Sequence, residues 1–223
     1  MTERTSQILE AVIQEHINTG EPVSSGLLYE NYEFGIKPAM IRLELDELER
    51  QGYLEQPHHS AGRVPTNRGY EFFAAHLLES NMREHVAKQN ELRQLLEERA
   101  WPDLLNELSN QLGLLSIAAD IARESVYKAG LEQLIDRLDW QDHEGIRSVI
   151  HDFEAMDARL PGAAAHMSTG PNIFIGKKSP VTRSENLSVI CGNYTIGDAT
   201  ISIFAIGPKR MDYKKVIRVF KNL

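Results

Sequence analysis

Residues 52–73, GYLEQPHHSAGRVPTNRGYEFF, hold the side chains of this sequence with the clearest chemical capacity. Two arginines, Arg63 and Arg68, and two adjacent histidines, His58 and His59, stand among two prolines and three glycines. Guanidinium groups donate paired hydrogen bonds to phosphate oxygens or to guanine. The histidines suit a pH-sensitive contact or a metal pair, although a turn of this composition favours simple solvent exposure. The stretch therefore predicts a contact with an anionic partner such as nucleic acid.

A second group of candidate residues opens the preceding segment, KPAMIRLELDELER. At helical spacing Leu45 and Leu48 fall within about 40° of Ile41, so the three are predicted to face a core. The opposite face and the first turn are then left to make contacts with base edges. On the flank of that face Arg42 can bind guanine or a phosphate, and the sequence does not distinguish the two contacts. The residues placed in this position are Lys37, Ala39, Met40, Arg42 and Leu43.

Both groups belong to one predicted arrangement of helices and strands. A first helix capped by Thr2 runs to about Asn18, and Ser24 or Ser25 caps a short second helix. Pro38 begins a third helix that ends near Gln51, which completes a helix-turn-helix. Residues 53–64 then form a hairpin, and Thr66 caps another helix. A helix-turn-helix followed by a hairpin is a winged helix, and the arginine-rich stretch is its wing.

The rest of the chain changes character part-way along. From about Asn81 to Leu160 the pattern predicts helices almost throughout, including a stripe through Met82 and Val86 and the leucines that follow. Beyond Pro171 the β-branched runs NIFIG, LSVICGNYTI and ATISIFAIG predict strands. A last helix, MDYKKVIRVFKNL, follows them. Residues 1–80 and 81–223 are therefore expected to be two domains.

Composition limits the class of protein. The 223 residues carry 32 acidic and 24 basic side chains, with 42% hydrophobic and 25% charged residues, as in ordinary globular proteins. Residues 1–80 have 6 basic and 13 acidic residues, yet residues 37–68 have five of each. Positive charge is thus concentrated where contact with DNA is predicted. One cysteine, no secretory signal and no apolar run of about 20 residues favour a cytoplasmic protein that does not enter membranes.

Signatures of enzymes are missing. The sequence has no GxxxxGK, HExxH or GxSxG motif and no cysteine pair for zinc. Cys191 lies in an apolar run, which favours a buried thiol over a nucleophile. His143 and His151 would lie roughly 80° apart and two turns along a helix, which is a poor geometry for one metal. We therefore expect no enzymatic activity, no cofactor and no metal.

Several of these segments resemble one bacterial family, the heat-inducible transcription repressor HrcA. The resemblance is carried by TERTSQILEAVIQEHINTGEPVSS, by IRLELDELERQGYLEQPHHSAGRVPTNRGYEFF and by IGPKRMDYKKVI. The later run VYKAGLEQLIDRLDWQDHEGIRSVIHDFEAMDARL is also similar. The resemblance implies a winged helix that binds an inverted repeat called CIRCE, upstream of chaperone operons, and a GAF-like domain interrupted by an inserted dimerising domain. It also implies control by heat and by the chaperonin GroEL.

The sequence departs from that family pattern in three places. Leu43 stands where the family has an Asn after its Arg, and Gly26 stands where a basic residue is usual near the start of the preceding helix. The recognition helix also opens with the run KPAM at residues 37–40, where the family typically has small or polar residues. In addition, LSNQLGLLSIAAD passes directly into IARESVYKAGL, where the family carries strands and the inserted domain. The chain is thus similar to a shortened member lacking that insertion. The leucine-rich helices of residues 82–115 and the final sheet are candidates for a replacement dimer interface, or else form the internal core.

Taken together, the sequence predicts an α+β protein. Its N-terminal winged helix-turn-helix is followed by a helical region and a reduced GAF-like domain with a small antiparallel sheet. The predicted function is a homodimeric repressor that binds double-stranded DNA. A protein–protein interaction module and a ligand-sensing regulator with a different operator remain as alternatives. The residues expected to contact DNA are Ser25, Lys37, Ala39, Met40, Arg42, Leu43, Arg50, His59, Ser60, Arg63 and Arg68.

Overall fold

The structure of the protein is a computed structural model that describes residues 1–80, 88–138, 143–168 and 170–223. The chain forms two compact units, Met1–His76 and Leu77–Leu223. Each unit has a hydrophobic interior of its own.

The first unit is a winged helix, as the sequence predicts. Its elements are α1 (Glu3–Thr19), α2 (Ser25–Asn31), α3 (Pro38–Arg50), β1 (Leu54–Glu55) and β2 (Val64–Pro65). The helix α4 (Asn67–Glu79) begins near the end of this unit. The strands β1 and β2 pair antiparallel. Helices α2 and α3 are the helix-turn-helix, and residues 54–65 are the wing.

Side-chain caps fix where these helices begin. The Thr2 hydroxyl accepts a hydrogen bond from the Thr5 amide at 3.2 Å, and the Ser24 hydroxyl accepts one from the Leu27 amide at 3.1 Å. Thr66 caps α4 in the same way, through the Gly69 amide at 3.2 Å. The caps predicted at Thr2 and Thr66 are confirmed, and of the two serines proposed for α2 it is Ser24 that forms the cap.

The core of the first unit forms where three helices meet. Ile41, Leu45 and Leu48 on α3 are buried, which confirms the face assigned from helical spacing. They pack in a unit whose other fully buried side chains come from α1, α2 and β1. Those side chains are Ile8, Leu9, Val12, Ile13, Leu28 and Leu54. Because this face of α3 is fixed inward, its other face must be exposed.

The second unit alternates helices and strands. Its helices are α5 (Gln89–Glu97), α6 (Trp101–Leu112), α7 (Leu131–Ile135), α8 (His143–Ala155), α9 (Leu160–Ala165) and α10 (Tyr213–Asn222). Its strands are β3 (Leu115–Asp120), β4 (Ser125–Ala129), β5 (Asn172–Ile175), β6 (Leu187–Ile196) and β7 (Ala199–Pro208). All neighbouring strands pair antiparallel, in the order β4-β3-β7-β6-β5.

This sheet is larger than the sequence suggested. The predicted antiparallel sheet and its last three strands are confirmed, but the prediction of nearly continuous helix over residues 81–160 is wrong for β3 and β4. Gly113, with φ of 67°, ends α6, and the apolar run after it is buried on both faces. Hydrophobic periodicity does not distinguish such a short, doubly buried strand from a buried helix.

Helices cover both faces of the sheet. One face carries Leu115 and Ile117 of β3 together with Phe204 and Ile206 of β7, which pack with side chains from α7, α8 and α9. Ser188 points from β6 to the other face, where its hydroxyl lies 2.8 Å from the hydroxyl of buried Tyr213 in α10. The sheet is therefore the middle layer of three, which is the arrangement of an α+β domain.

The leucine-rich helices belong to this internal core. Leu92, Leu96, Leu104, Leu105, Leu108 and Leu112 are all buried within the unit. Of the two alternatives, a dimer interface or an internal core, these leucines form an internal core. Residues 82–87, which include Met82 and Val86, lie outside the described residues.

A buried carboxylate fastens α8 to the loop before β6. Asp152 accepts hydrogen bonds from the Thr182 hydroxyl, from Arg159 at 2.7 Å, and from the Arg183 and Ser184 amides. Burial alone would raise the pKa of Asp152, but these hydrogen bonds outweigh it and hold the pKa below the ordinary value. The ionised carboxylate is thus part of the folded structure.

Candidate nucleic-acid interface

The N-terminal half of α3 is presented outward, as base recognition requires. Pro38 starts the helix and leaves Lys37 as its N-terminal flanking residue. Lys37, Ala39 and Arg42 are exposed, and two apolar side chains are unusually so: Met40 is 45% exposed and Leu43 is 58% exposed. Exposed apolar groups beside a cation are suited to contacts with base edges and thymine methyl groups.

The acidic residues of α3 all have basic partners. The ion pairs are Glu44 with Arg4, Asp46 and Glu49 with Arg63, and Glu47 with Arg50. By contrast, no described residue forms an ion pair or hydrogen bond with the side chain of Arg42. The acidic face therefore carries little uncompensated negative charge, while the guanidinium of Arg42 is available to a ligand.

Arg63 holds the wing to α3. Its guanidinium lies 2.8 Å from Asp46 and 2.9 Å from Glu49, and only 13% of its side chain is exposed. Its amide and carbonyl also pair with those of Val23 at 2.8 and 2.9 Å. Two carboxylates hold this guanidinium through Nη2, whereas the sequence predicts that it contacts phosphate. Arg63 thereby fixes the wing relative to the recognition helix.

Gly62 makes this close approach possible. A Cβ atom at residue 62 would lie 2.4 Å from the carbonyl oxygen of Val23 and 2.9 Å from the amide nitrogen of Ser24. No side chain fits in that space, so only glycine allows the wing to pair with the segment before α2. This steric limit explains the glycine in the SAGR sequence at residues 60–63.

The two remaining arginines are both exposed, and both already have partners within the protein. Arg68 donates a hydrogen bond to the Gln51 carbonyl at 2.7 Å and stacks over the Tyr53 ring at 4.5 Å. This arginine is exposed, but its guanidinium already holds the end of α3. Arg50 pairs with Glu47 and keeps 74% of its side chain exposed. Neither arginine lies at the N-terminal end of α3.

Five of the predicted contact residues line one groove. This cleft of about 370 Å³ lies between α2, α3 and the wing, and is lined by Ser25, Arg42, His59, Ser60 and Arg63. Three groups of side chains that are separate in the sequence therefore converge on one surface. We refer to this cleft as the winged-helix groove.

Gln56 is a wing residue that sequence reasoning missed. Its amide group donates to the carbonyls of His59 at 3.2 Å and Ala61 at 2.9 Å, which fixes the turn carrying His59 and Ser60. Sequence reasoning also missed that each acidic residue of α3 pairs with an arginine. The equal numbers of acidic and basic residues over 37–68 are the feature of the sequence that indicates such ion pairs.

Comparison with known proteins identifies the family. The family model described as HrcA protein C terminal domain matches residues 67–217. The heat-inducible transcription repressor HrcA of Moorella thermoacetica is 38% identical, over 99% of this chain and 95% of the relative. The chain belongs to the HrcA family. That alignment spans 327 positions, more than the 223 residues here, so part of the relative has no counterpart in this shorter family member.

Other HrcA relatives match more locally. The repressor of Desulforamulus reducens is 46% identical over 92 residues, which is 41% of this chain and 26% of the relative. Four such relatives are matched over only 22% to 34% of their own length. The crystal structure of a hypothetical protein has a TM-score of 0.82, with 18% identity, over 99% of this chain and 95% of that one. This likeness supports the fold of the chain and says nothing about its function.

The second unit offers less chemistry. Cys191 is buried in β6, and burial raises the pKa of its thiol to about 12, so it is a poor nucleophile. Among the described residues no group of three or more His, Cys, Asp or Glu side chains is arranged for a metal ion. A cleft of about 870 Å³ lies at one end of the sheet, lined by residues that include Arg99, Asp120 and Asn193. None of the helices in the described ranges has the length and apolarity to cross a membrane.

Proposed function

We propose that this HrcA family member is a DNA-binding repressor of heat-shock genes that binds an inverted-repeat operator of the CIRCE type as a homodimer. The observation that carries the proposal is the charge pattern of α3. Each acidic residue of the helix is paired with an arginine, whereas Arg42 has no partner among the described residues. A neutralised flank reduces repulsion from phosphates, and a recognition helix contacts base edges from its N-terminal residues, so this combination suits DNA binding.

The contacts divide by role. Lys37, Ala39, Met40, Arg42 and Leu43 would enter the major groove on α3, where Arg42 reads guanine or grips a phosphate. At the edges of the winged-helix groove, Ser25, His59 and Ser60 would contact the sugar-phosphate backbone.

The other three arginines would act differently. Arg63 and Arg68 would position the wing and the end of α3 through the partners they already hold. Arg50 would reach a flanking phosphate, because most of its side chain is exposed.

The charge of the whole protein suits a selective binder. A formal net charge of −8 disfavours binding to DNA in general, because non-specific binding is largely electrostatic. We therefore expect weak binding to random DNA and a shallow dependence of affinity on salt. Strong retention on random DNA at moderate salt would contradict this expectation.

The remaining parts of the proposal rest on family membership. We propose that the protein has no enzymatic activity, acts in the cytoplasm, and is controlled by heat through the chaperonin GroEL. Two-fold binding to an inverted repeat needs two recognition helices, which is why a homodimer is proposed.

A matched pair of variants tests the proposed contact. Arg42→Met removes the available cation, and Arg50→Met removes an exposed arginine from the far end of the same helix. By fluorescence anisotropy on an inverted-repeat duplex, we expect Arg42→Met to lower affinity about tenfold to a hundredfold, as for a bidentate base contact. The Arg50 variant should lose at most one phosphate contact, with most of the sequence preference kept. Equal affinities of the Arg42 variant and the wild type would refute the assignment.

One observation favours a second function. Met40 and Leu43 are large apolar side chains exposed on the recognition helix, which also suits a winged helix that binds another protein. In that case Arg42→Met would leave DNA assays unchanged, because neither variant nor wild type would prefer the repeat.

A further inference from the structure

Two connecting segments meet at one end of the five-stranded sheet. The register of the sheet places the end of β5, the start of β6 and the end of β7 side by side. Residues 176–186 connect β5 to β6, and residues 209–215 follow β7, so both segments leave the sheet at the same end. They are in contact there, because the Lys209 amide donates a hydrogen bond to the Asn186 carbonyl at 3.0 Å.

These two segments are strongly basic although the protein is acidic. They hold seven basic and two acidic residues, whereas the whole chain has 24 basic and 32 acidic residues. Six of the seven basic residues are exposed, and the seventh, Lys209, has 28% of its side chain exposed. We refer to the seven as the basic patch, which consists of Lys177, Lys178, Arg183, Lys209, Arg210, Lys214 and Lys215.

The acidic residues of the two segments do not neutralise the patch. Glu185 lies between the segments, 3.9 Å from the ammonium groups of Lys177 and Lys209, so one carboxylate is shared by two cations. The Asp212 carboxylate accepts a hydrogen bond at 2.9 Å from a backbone amide in the first turn of α10, which makes it the cap of that helix. The patch therefore keeps a large positive charge.

The fold explains the other residues of the turn after β7, but not its exposed cations. Within GPKRMDYKK, residues 207–215, Met211 and Tyr213 are fully buried. No described residue forms an ion pair or hydrogen bond with the side chain of Arg210 or Lys214. Packing and capping thus account for the apolar and acidic residues of this turn, while these two cations are available to a ligand.

The segment before β6 carries a third available cation on a fixed backbone. Asp152 accepts hydrogen bonds from the Thr182 hydroxyl and from the amides of Arg183 and Ser184. The side chain of Arg183 is exposed and has no ion pair or hydrogen bond within the described part of the chain. Because its backbone is already held, Arg183 loses less conformational entropy on binding than a cation in a flexible loop would.

The chemistry of the patch fits phosphate groups better than a protein surface. Protein interfaces have apolar or aromatic centres, and surfaces that bind nucleic acid are polar and strongly positive. A membrane surface would also call for apolar side chains that insert into it. In the described part of the second unit the large exposed apolar residues all lie outside the two segments; they are Ile121, Val126, Tyr127 and Ile150.

We propose that the basic patch contacts the phosphate backbone of duplex DNA beside the repeat that the winged helix binds. This inference deepens the proposed function and rests on it. Arg183, Arg210 and Lys214 donate to phosphate oxygens and read no sequence. Once the winged helix has bound, the patch acts within the same complex at a high effective concentration. On its own the patch binds random DNA weakly, because the net charge of the protein is −8.

The release of counterions gives the size of the effect. Neutralising one phosphate of B-DNA changes the slope of log affinity against log salt by about −0.9, which is roughly fivefold in affinity at about 0.15 M salt relative to 1 M. Three such contacts, less the cost of ordering the side chains, should raise the affinity for a duplex with flanks by at least about tenfold.

Duplexes of two lengths test the proposal with the full chain. The short duplex carries the CIRCE-type repeat alone, and the long duplex adds about 20 scrambled base pairs on each side, roughly 70 Å per flank. Such a flank is longer than the second unit, whose radius of gyration is about 15 Å for its size. By filter binding at about 0.15 M salt, we expect the wild type to bind the long duplex at least about tenfold more tightly.

Arg210→Gln and Arg123→Gln form a matched pair of variants. Both arginines are exposed, and they follow the antiparallel neighbours β7 and β3, so they lie at opposite ends of the sheet. Arg210→Gln should reduce the advantage of the long duplex about fivefold, and the further change Arg183→Gln should remove most of what is left. Arg123→Gln should keep the full advantage, and all of these variants should bind the short duplex as the wild type does.

The outcomes separate the patch from recognition of the repeat. A smaller advantage in Arg210→Gln but not in Arg123→Gln supports the proposal. Equal affinity of the wild type for both lengths, or an equal loss in the two variants, overturns it, even if the repeat is preferred over a scrambled duplex and the proposed function stands. If the repeat is not preferred, the proposed function fails and the long scrambled duplex decides on the patch. There, a salt slope lower by about two in the double variant supports the phosphate contact, and an unchanged slope overturns it.

Discussion

Replacing Arg63 with methionine should destabilise the winged helix without removing a contact to DNA. The guanidinium of Arg63 bonds Asp46 at 2.8 Å and Glu49 at 2.9 Å and is 13% exposed, while about two fifths of each carboxylate side chain is exposed. Exposed ion pairs contribute at most about 1 kcal/mol, and breaking a fully buried pair costs about 3–5 kcal/mol. This half-buried pair should lie between them, so we expect the free energy of unfolding to fall by about 2 kcal/mol. For a unit of this size that lowers the melting temperature by roughly 10 °C.

Two optical signals assign this change to the first unit. Trp101 is buried in the second unit, so in a Trp140→Phe background, used for every variant, tryptophan fluorescence follows that unit. Far-UV circular dichroism follows both units. In urea, Arg63→Met should shift the circular dichroism transition and leave the tryptophan transition in place. Arg50→Met is the matched control, since its exposed pair with Glu47 should change stability by less than about 1 kcal/mol.

The salt dependence of DNA binding distinguishes positioning from contact. A lost phosphate contact lowers the slope of log affinity against log salt by about one. We expect Arg63→Met to weaken binding to the operator while keeping the slope of the wild type. Wild-type stability combined with a slope lower by one would refute the role assigned here, because Arg63 would then contact phosphate directly.

Three further predictions concern single residues. Gly62→Ala should lower the unfolding free energy by about 1–3 kcal/mol in the same urea assay, because its Cβ would meet the Val23 carbonyl at 2.4 Å; an unchanged midpoint would contradict this. Asp152→Asn should destabilise the second unit at neutral pH, and since the pKa of Asp152 is held below 3.8, the difference from wild type should shrink as pH falls below that value; a difference independent of pH would contradict the network. The thiol of Cys191, with its pKa raised to about 12, should react with thiol reagents at pH 8 only after unfolding, so fast labelling of the native protein would count against its burial.

The winged helix could be predicted in detail because its signals are local. The Thr2 and Thr66 caps, Pro38 at the start of α3 and the spacing of its apolar residues each depend on a few neighbouring positions. The strands β3 and β4 could not be predicted in this way. Strand β3 is buried between β4 and β7 and has no alternating pattern, so only its partners distinguish it from a helix. Strand β4 is short and lies at the edge of the sheet, next to β3.

The role of Arg63 shows the same limit within the site. Its type and its place in the wing suggested a phosphate contact, but the partners that hold it, Asp46 and Glu49, lie more than ten residues away in the sequence. Arg42 is the opposite case, because its exposure follows directly from the helical spacing of Ile41 and Leu45. Local periodicity predicts which side a residue faces, whereas the partner of a charge depends on the fold.

The central claim is selective binding of an inverted repeat, and a titration tests it most directly. The purified full chain would be added to a labelled CIRCE-type duplex and, separately, to a scrambled duplex of the same length and composition, at one fixed salt concentration. Our account predicts tight binding to the repeat and weak binding to the scrambled duplex, since specific sites are commonly bound at least about 1,000-fold more tightly than random DNA. Equal, weak binding to both duplexes would contradict it.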